Sequence, residues 1–193
     1  DDFVKIYLNR IPAATLKNEI RNVVLTSKNA VEALSASVDP STLKFTNIYC
    51  VGRRTKKLIE ARIGKVTHVA KNAKALADHL VDFMEGLEVT YFCSSIRLDE
   101  LPAILTKNNI TVHEVEAYET KLSPVKVPEG VKRVLFFSPS TVDSFLLENT
   151  AGKKTAYCIG ETTAKEARKH FETVHVADMP SVDSVIKLVS AKS

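Results

Sequence analysis

The sequence predicts an α/β fold built as two related domains, each a mainly parallel sheet covered by helices. An internal repeat is the first observation behind this. Val24-Leu-Thr-Ser-Lys-Asn-Ala-Val-Glu-Ala-Leu34 shares its pattern with Leu135-Phe-Phe-Ser-Pro-Ser-Thr-Val-Asp-Ser-Phe145 at an offset of 111 residues. Tyr49-Cys-Val-Gly-Arg-Arg-Thr55 matches Tyr157-Cys-Ile-Gly-Glu-Thr-Thr163 at 108, and His68-Val-Ala70 matches His175-Val-Ala177 at 107. Matches kept in order at a nearly constant offset mark a duplication, and the drift is what loop deletions produce. The second observation is that short β-rich runs alternate with helical stretches in both copies, the pattern of strands joined through crossover helices.

Taken in order, Phe3 to Leu8 alternates as a strand does and lies outside the repeat. In the first copy strands are expected near 22–26, 47–51, 66–70, 88–93 and 110–115, with helices beginning near Lys28, Arg53, Ala73 and Leu98. Val112 to Leu122 again alternates outside the repeat, and with Phe3 to Leu8 it is placed to form a two-stranded connection between the domains. Ser123-Pro-Val-Lys-Val-Pro128 reads as the extended end of that linker. The second copy has expected strands near 132–137, 155–159 and 173–177 and helices from Ser140, Glu161 and Ser181. It is short of strands, so it closes as a three-stranded unit or borrows a strand. The chain starts at Asp1 without methionine, and an N-terminal β-α unit is expected to lie outside this sequence. The expected domains are 9–114 and 125–193, with 1–8 and 115–124 as the ladder between them.

Composition narrows the classes. At 193 residues the chain is long enough for one large core or two small ones. Its 45% hydrophobic and 26% charged residues are ordinary for a globular protein, and no apolar run approaches the roughly 20 residues that span a bilayer. Neither a membrane protein nor a signal-peptide pattern is indicated. Cys50, Cys93 and Cys158 form an odd, widely spaced set with no CxxC pair, so a reducing, cytoplasmic location is expected. The net charge of +4 is biased toward anionic partners. Much of it lies between Arg53 and Lys74, where eight basic residues face Glu60 alone. That stretch reads either as a solvated helix face or as an anion-attracting rim.

In both copies the strongest matches fall where a strand ends and a helix begins, and in open parallel sheets the ligand crevice lies outside those carboxyl ends. Thr26, Ser27 and Asn29, with Ser138 and Ser140, put hydroxyl or amide groups at helix N-termini, and Gly52 with Thr55 and Gly160 with Thr162 and Thr163 do the same. Each alone is accounted for by capping, worth about 1 kcal/mol. Together they form a surface rich in donors at the positive ends of helix dipoles, which suits carboxylates or phosphates. No GxGxxG, GxxxxGK[ST] or HExxH is present, so dinucleotide, P-loop and zincin sites are unsupported. His68 and His175 occupy equivalent strand ends without ligand-spaced partners and read as structural. Cys50 and Cys158, inside apolar strands, read as small buried hydrophobes.

Thr26-Ser-Lys-Asn-Ala-Val31, Val51-Gly52 with Thr55, Glu116-Ala-Tyr-Glu-Thr120, Phe137-Ser-Pro-Ser140 and Ile159-Gly-Glu-Thr-Thr-Ala164 resemble, in this order and over nearly the whole chain, the motifs of uroporphyrinogen-III synthases. The resemblance implies two flavodoxin-like domains, parallel sheets with helices on both faces, joined by a two-stranded β ladder. It implies a lyase without cofactor or metal, acting on hydroxymethylbilane in a cleft between the domains. This substrate is a flexible chain of four pyrroles bearing eight carboxylates. Closure passes through a spiro intermediate, inverts the last pyrrole ring and releases water. Because the linear substrate also closes unaided to the uninverted isomer, holding a folded conformer is the main task implied.

Tyr118 matches the tyrosine of the family's Y-x-T motif, which implies that it is the general acid for the departing hydroxyl. A strand tyrosine covering the ladder is the other reading of Tyr118. Thr26, Ser27, Asn29, Thr55, Ser94, Arg97, Ser138, Ser140, Thr162 and Thr163 are implied to bind the substrate's carboxylates. Arg97 corresponds to an arginine that follows a glycine-rich turn in the family, but here the turn reads Cys93-Ser-Ser-Ile-Arg97 without glycine. A monomer is expected, with transient contact with the upstream bilane-forming deaminase. The competing reading is a two-lobed binding protein that traps an anion or small ligand without catalysis; such a protein would normally carry an export signal and cleft aromatics, whereas the chain has no tryptophan and five tyrosines. Nucleic-acid binding is disfavoured because the basic stretch lacks interleaved aromatics.

Overall fold

Apolar residues at alternate positions of each strand sort onto opposite faces of a sheet, and this period of two organises the computed structural model, which describes residues 3–16, 18–84 and 86–191. The outermost residues of the expected ranges 1–8 and 125–193 therefore lie outside the described residues. The first part of the chain forms β1 (Val4–Leu8), the one-turn helix α1 (Ala13–Leu16), β2 (Ile20–Leu25), α2 (Lys28–Ser37) and a 3-10 turn at Pro40–Thr42. It continues through β3 (Phe45–Val51), α3 (Arg53–Arg62), β4 (His68–Ala70), α4 (Ala73–Phe83), β5 (Glu88–Ser94), α5 (Glu100–Lys107) and β6 (Thr111–Leu122). The remainder forms β7 (Arg133–Phe136), α6 (Pro139–Glu148), β8 (Thr155–Cys158), α7 (Glu161–Ala167), β9 (Thr173–Val176) and α8 (Val182–Ala191). The chain divides into two compact units, one of Ile6–Thr120 and the other of residues up to Lys5 together with Lys121 onward. The architecture is α/β, with mostly parallel sheets.

The larger sheet has the order β1-β6-β5-β2-β3-β4, and every neighbouring pair from β6 to β4 is parallel. Val23 and Leu25 of β2, Ile48 and Cys50 of β3 and Phe92 of β5 pack with Ala30, Val31 and Leu34 of α2 and with Ile59 of α3. Val24, Tyr49, Tyr91 and Cys93, one position out of step, pack with Leu76 and Leu80 of α4 and with Leu101 and Leu105 of α5. Strands covered on both faces read as near-continuous apolar runs, which is why β2 runs Val-Val-Leu. Each such side chain taken fully out of water contributes about 1.5–3 kcal/mol.

The three-stranded sheet β7-β8-β9 of the other unit is parallel throughout. Val134, Phe136, Ala156 and Cys158 face α6 and α7 through Val142, Phe145, Ala164 and Ala167, while Tyr157 packs with Val185 of α8 on the opposite side. Phe3 joins this unit's core by meeting Phe145 edge-on, with ring centroids 5.6 Å apart.

The stretches expected separately at 110–115 and 112–122 form the single twelve-residue strand β6. Its register shifts once. Cys93 pairs with Glu116 and Ser94 with Tyr118, leaving Ala117 as the extra residue of a bulge. Ala117 and Tyr118, neighbours in sequence, consequently enter the same core cluster, which a regular strand would not allow. β1 neighbours β6 and runs the opposite way: the Asn9 N–H donates to the Ala117 carbonyl at 2.9 Å, and the Ser123 N–H to the Phe3 carbonyl at 2.8 Å. The helix expected from Leu98 begins at Glu100, and that expected from Ser140 begins at Pro139, where proline's fixed φ suits the first helical position.

Candidate functional site

From β2 the chain winds outward to β3 and β4, then crosses back to place β5 and β6 on the other side, so the sheet's winding reverses between β2 and β5. Ligands of open parallel sheets bind outside the carboxyl ends at such a reversal. Thr26 and Ser27 follow β2, Ser94 and Ser95 close β5, and the bulge brings Tyr118 level with Ser94.

Ser27 caps α2, its Oγ accepting from the Asn29 N–H at 3.1 Å. The Thr26 Oγ1 lies 3.1 Å from the Tyr91 hydroxyl. Ser94 Oγ is 2.8 Å from Thr120 Oγ1 and accepts from the Ile96 N–H at 3.3 Å. Ser95 adds two ties to β6, donating its N–H to the Tyr118 carbonyl at 3.0 Å and accepting the Thr120 N–H on its Oγ at 3.1 Å. Tyr118 is only 9% exposed, yet its hydroxyl has no hydrogen-bond partner among the described residues. Thr55, third residue of α3 and 7% exposed, likewise makes none among them. Gly52, which caps α3, has φ +82, a region that residues with a Cβ rarely adopt.

Arg97 follows the same turn but is already engaged. Its guanidinium donates to the Glu114 carboxylate at 2.8 and 2.6 Å and also to Asp99, and the Glu114 hydrogen bonds hold its pKa above the ordinary value. Three of the five guanidinium N–H groups are thereby used, and a ligand carboxylate at Arg97 must share the cation with Glu114 and Asp99.

In the other unit Ser138 caps α6 through a capping box with Thr141, and its Oγ lies 2.9 Å from Ser140 Oγ. Thr162 is exposed and Thr163 only 3% exposed in the first turn of α7. Gly160 sits before them with φ −171, ordinary extended backbone.

The thiols of Cys50, Cys93 and Cys158 are each pushed up to about 11 by burial, so they stay protonated and unreactive near neutrality. His68 stacks on His79 at 3.5 Å, where burial first and His68 second lower the His79 pKa, and His175 leans on Tyr157 at 5.2 Å. Among the described residues no group of three potential ligands could hold a metal ion, and no helix is long and apolar enough to cross a membrane. A polar cavity of about 130 Å³, lined by Glu19, Arg21, Asn22, Glu88, Thr90 and His113, opens at the amino ends of β2 and β5, opposite the hydroxyl-bearing turns. It is small beside the roughly 300 Å³ of typical ligand sites.

A family model described as Uroporphyrinogen-III synthase HemD matches residues 4–187. The chain belongs to the uroporphyrinogen-III synthase family. Porphyrin biosynthesis protein HemD of Ruminiclostridium josui is 29% identical over 183 residues, covering 85% of this chain and 36% of the relative. The chain thus spans about a third of that curated relative's length. In fold it resembles the uroporphyrinogen-III synthetase of Helicobacter pylori, with a TM-score of 0.74 and 19% identity over 99% of this chain and 91% of that one. It also resembles a mutant uroporphyrinogen III synthase of Thermus thermophilus, with a TM-score of 0.70 and 13% identity over 98% of this chain and 86% of that one.

Within this synthase-family chain Thr26 and Ser27 stand just past the carboxyl end of β2, Ser94 ends β5 and Tyr118 lies level with it on β6, whereas Arg97 is turned to its acidic partners. One residue at that end was missed from sequence: Tyr91, whose hydroxyl meets Thr26. It lies 65 positions from its partner, so no local motif announces the pair.

Proposed function

We propose that the chain acts as a uroporphyrinogen-III synthase, closing hydroxymethylbilane with inversion of the last pyrrole ring in tetrapyrrole biosynthesis. The family match across residues 4–187 is the observation that carries this reading. In it, Tyr118 gives a proton to the terminal hydroxyl as its C–O bond breaks, so that water leaves and an electrophilic azafulvene remains. The substituted carbon of the last ring attacks this carbon to form the spiro intermediate. Fragmentation and recombination then invert the ring, and loss of a ring proton restores aromaticity. A phenol that is nearly buried and lacks an internal hydrogen-bond partner among the described residues supports the donor role.

Thr26, Ser27, Asn29, Thr55 and Ser94 in one unit, and Ser138, Ser140, Thr162 and Thr163 in the other, are read as donors to the substrate's carboxylates, with Arg97 joining through the N–H groups that Glu114 and Asp99 leave open. Many moderate donors suit an octa-anion better than one strong charge. The two units are read as flavodoxin-like domains, supported by parallel strand order and by helices on both faces of each sheet. Free, buried Cys50, Cys93 and Cys158 support a reducing, cytoplasmic setting.

The test supplies enzymatically generated hydroxymethylbilane and resolves type I from type III uroporphyrin after oxidation. Type III in excess is expected. If fresh, folded protein yields only type I, the synthase reading fails, and binding without turnover would leave an anion-binding protein.

A further inference from the structure

Tyr91 stands opposite Val24 in the β2–β5 register, yet its hydroxyl meets Thr26, two residues further on and just past the end of β2. The ring therefore leans along the sheet toward the carboxyl ends. It is 6% exposed, packed in the cluster shared with α4 and α5, whereas Thr26 is only half-buried and borders the turn before α2. The contact of 3.1 Å thus links an interior phenol to a hydroxyl at the place where the winding of the sheet reverses. A phenol is a stronger acid than an aliphatic alcohol, with an ordinary pKa of about 10. In such a pair the phenol is the better donor, and Thr26 keeps its own hydrogen for a partner outside. Burial, the largest influence, raises the Tyr91 pKa against the opposing Thr26 hydrogen bond, and Tyr118 and Arg97 also act on it electrostatically. The phenol is thus neutral near pH 7 and within electrostatic reach of both candidate site residues.

Resting on the synthase reading, we propose that Tyr91 is a positioning residue: its hydroxyl orients Thr26 so that the Thr26 proton points to a substrate carboxylate. Tyr91 itself touches no substrate.

Tyr91→Phe keeps the ring and removes only the oxygen. In steady-state assays with generated hydroxymethylbilane it is expected to raise KM about 3- to 10-fold, the range of one hydrogen bond, with kcat within about twofold and type III still dominant. Thr26→Val is expected to raise KM similarly, the double variant no further, and Thr26→Ser to restore near-normal KM. Absorbance titration with uroporphyrin III, an octacarboxylate tetrapyrrole, is expected to show the same ordering of Kd without needing turnover. If the wild type makes only type I, the synthase reading fails while this titration still judges the pair. Unchanged KM and Kd in Tyr91→Phe, a loss confined to kcat, or independent, multiplying effects in the double variant overturn the proposal. Should Tyr91→Phe fail to fold, the contrast between Thr26→Ser and Thr26→Val decides, and equal Kd values for those two overturn it.

Discussion

Ser94 Oγ lies 2.8 Å from Thr120 Oγ1, so the hydroxyl that ends β5 is tied to β6 two residues beyond Tyr118. With the Ser95 N–H on the Tyr118 carbonyl, this fixes the backbone on which Tyr118 stands. The Tyr118 hydroxyl itself has no hydrogen-bond partner among the described residues, so its deletion breaks none of these ties. Tyr118→Phe is expected to leave unfolding free energy within about 1 kcal/mol of wild type, since no hydrogen bond is lost. The rate of type III formation is expected to fall about 10- to 1000-fold, as for loss of a general acid. Unchanged turnover would reduce Tyr118 to packing.

The buried thiols give a pH dependence with a definite sign. Cys50, Cys93 and Cys158 titrate at about 11 when folded, raised chiefly by burial, against an ordinary 9.0. A raised folded-state value means the native state holds its protons longer, so their contribution is intact below pH 9 and lost as pH climbs toward 11. The urea midpoint is expected to fall across that window. Replacing all three cysteines by alanine is expected to flatten the slope, and an unaltered slope would place its origin elsewhere.

The strands and helices of the duplicated segments were readable because each uses a local signal. Val23 to Leu25 is an apolar run ended by Thr26 and Ser27, and Ser138 stands before Pro139 as a cap stands before a first turn. The bulge at Ala117 was not readable, because it is defined by which residue of β5 faces it. The family resemblance marks Arg97 as a ligand-binding cation, but its pairing with Glu114, 17 residues away on β6, carries no local signal. Separation in sequence likewise hid Tyr91. Local chemistry marks where a side chain begins, and only the register of the sheet says where it ends.

Ser144 is fully buried in α6, and its Oγ lacks a hydrogen-bond partner among the described residues. A buried hydroxyl without a partner costs about 1–3 kcal/mol, and alanine is the better helix former. Ser144→Ala is therefore expected to stabilise the protein by about 1 kcal/mol, read as a higher urea midpoint at constant slope. Destabilisation would mean that the hydroxyl is satisfied in solution.

The repeat places a glycine before α3 and before α7, yet only one of the two positions requires it. Gly52 has φ +82 and ψ 143, while Gly160 has φ −171 and ψ 174. Neither has an atom within 4 Å of where a Cβ would stand, so space does not separate them and backbone conformation does. At φ +82 an L residue is strained by about 1–3 kcal/mol. Extended backbone accepts alanine freely, and the modest preference for glycine over alanine at a helix N-cap applies to both sites alike. Gly52→Ala is thus expected to destabilise its unit by about 1–3 kcal/mol more than Gly160→Ala destabilises the other, measured by urea denaturation of each variant against the parent. Equal losses would mean that Gly52 relaxes out of its positive φ at no cost, in which case the turn after β3 does not hold the rigid geometry ascribed to it.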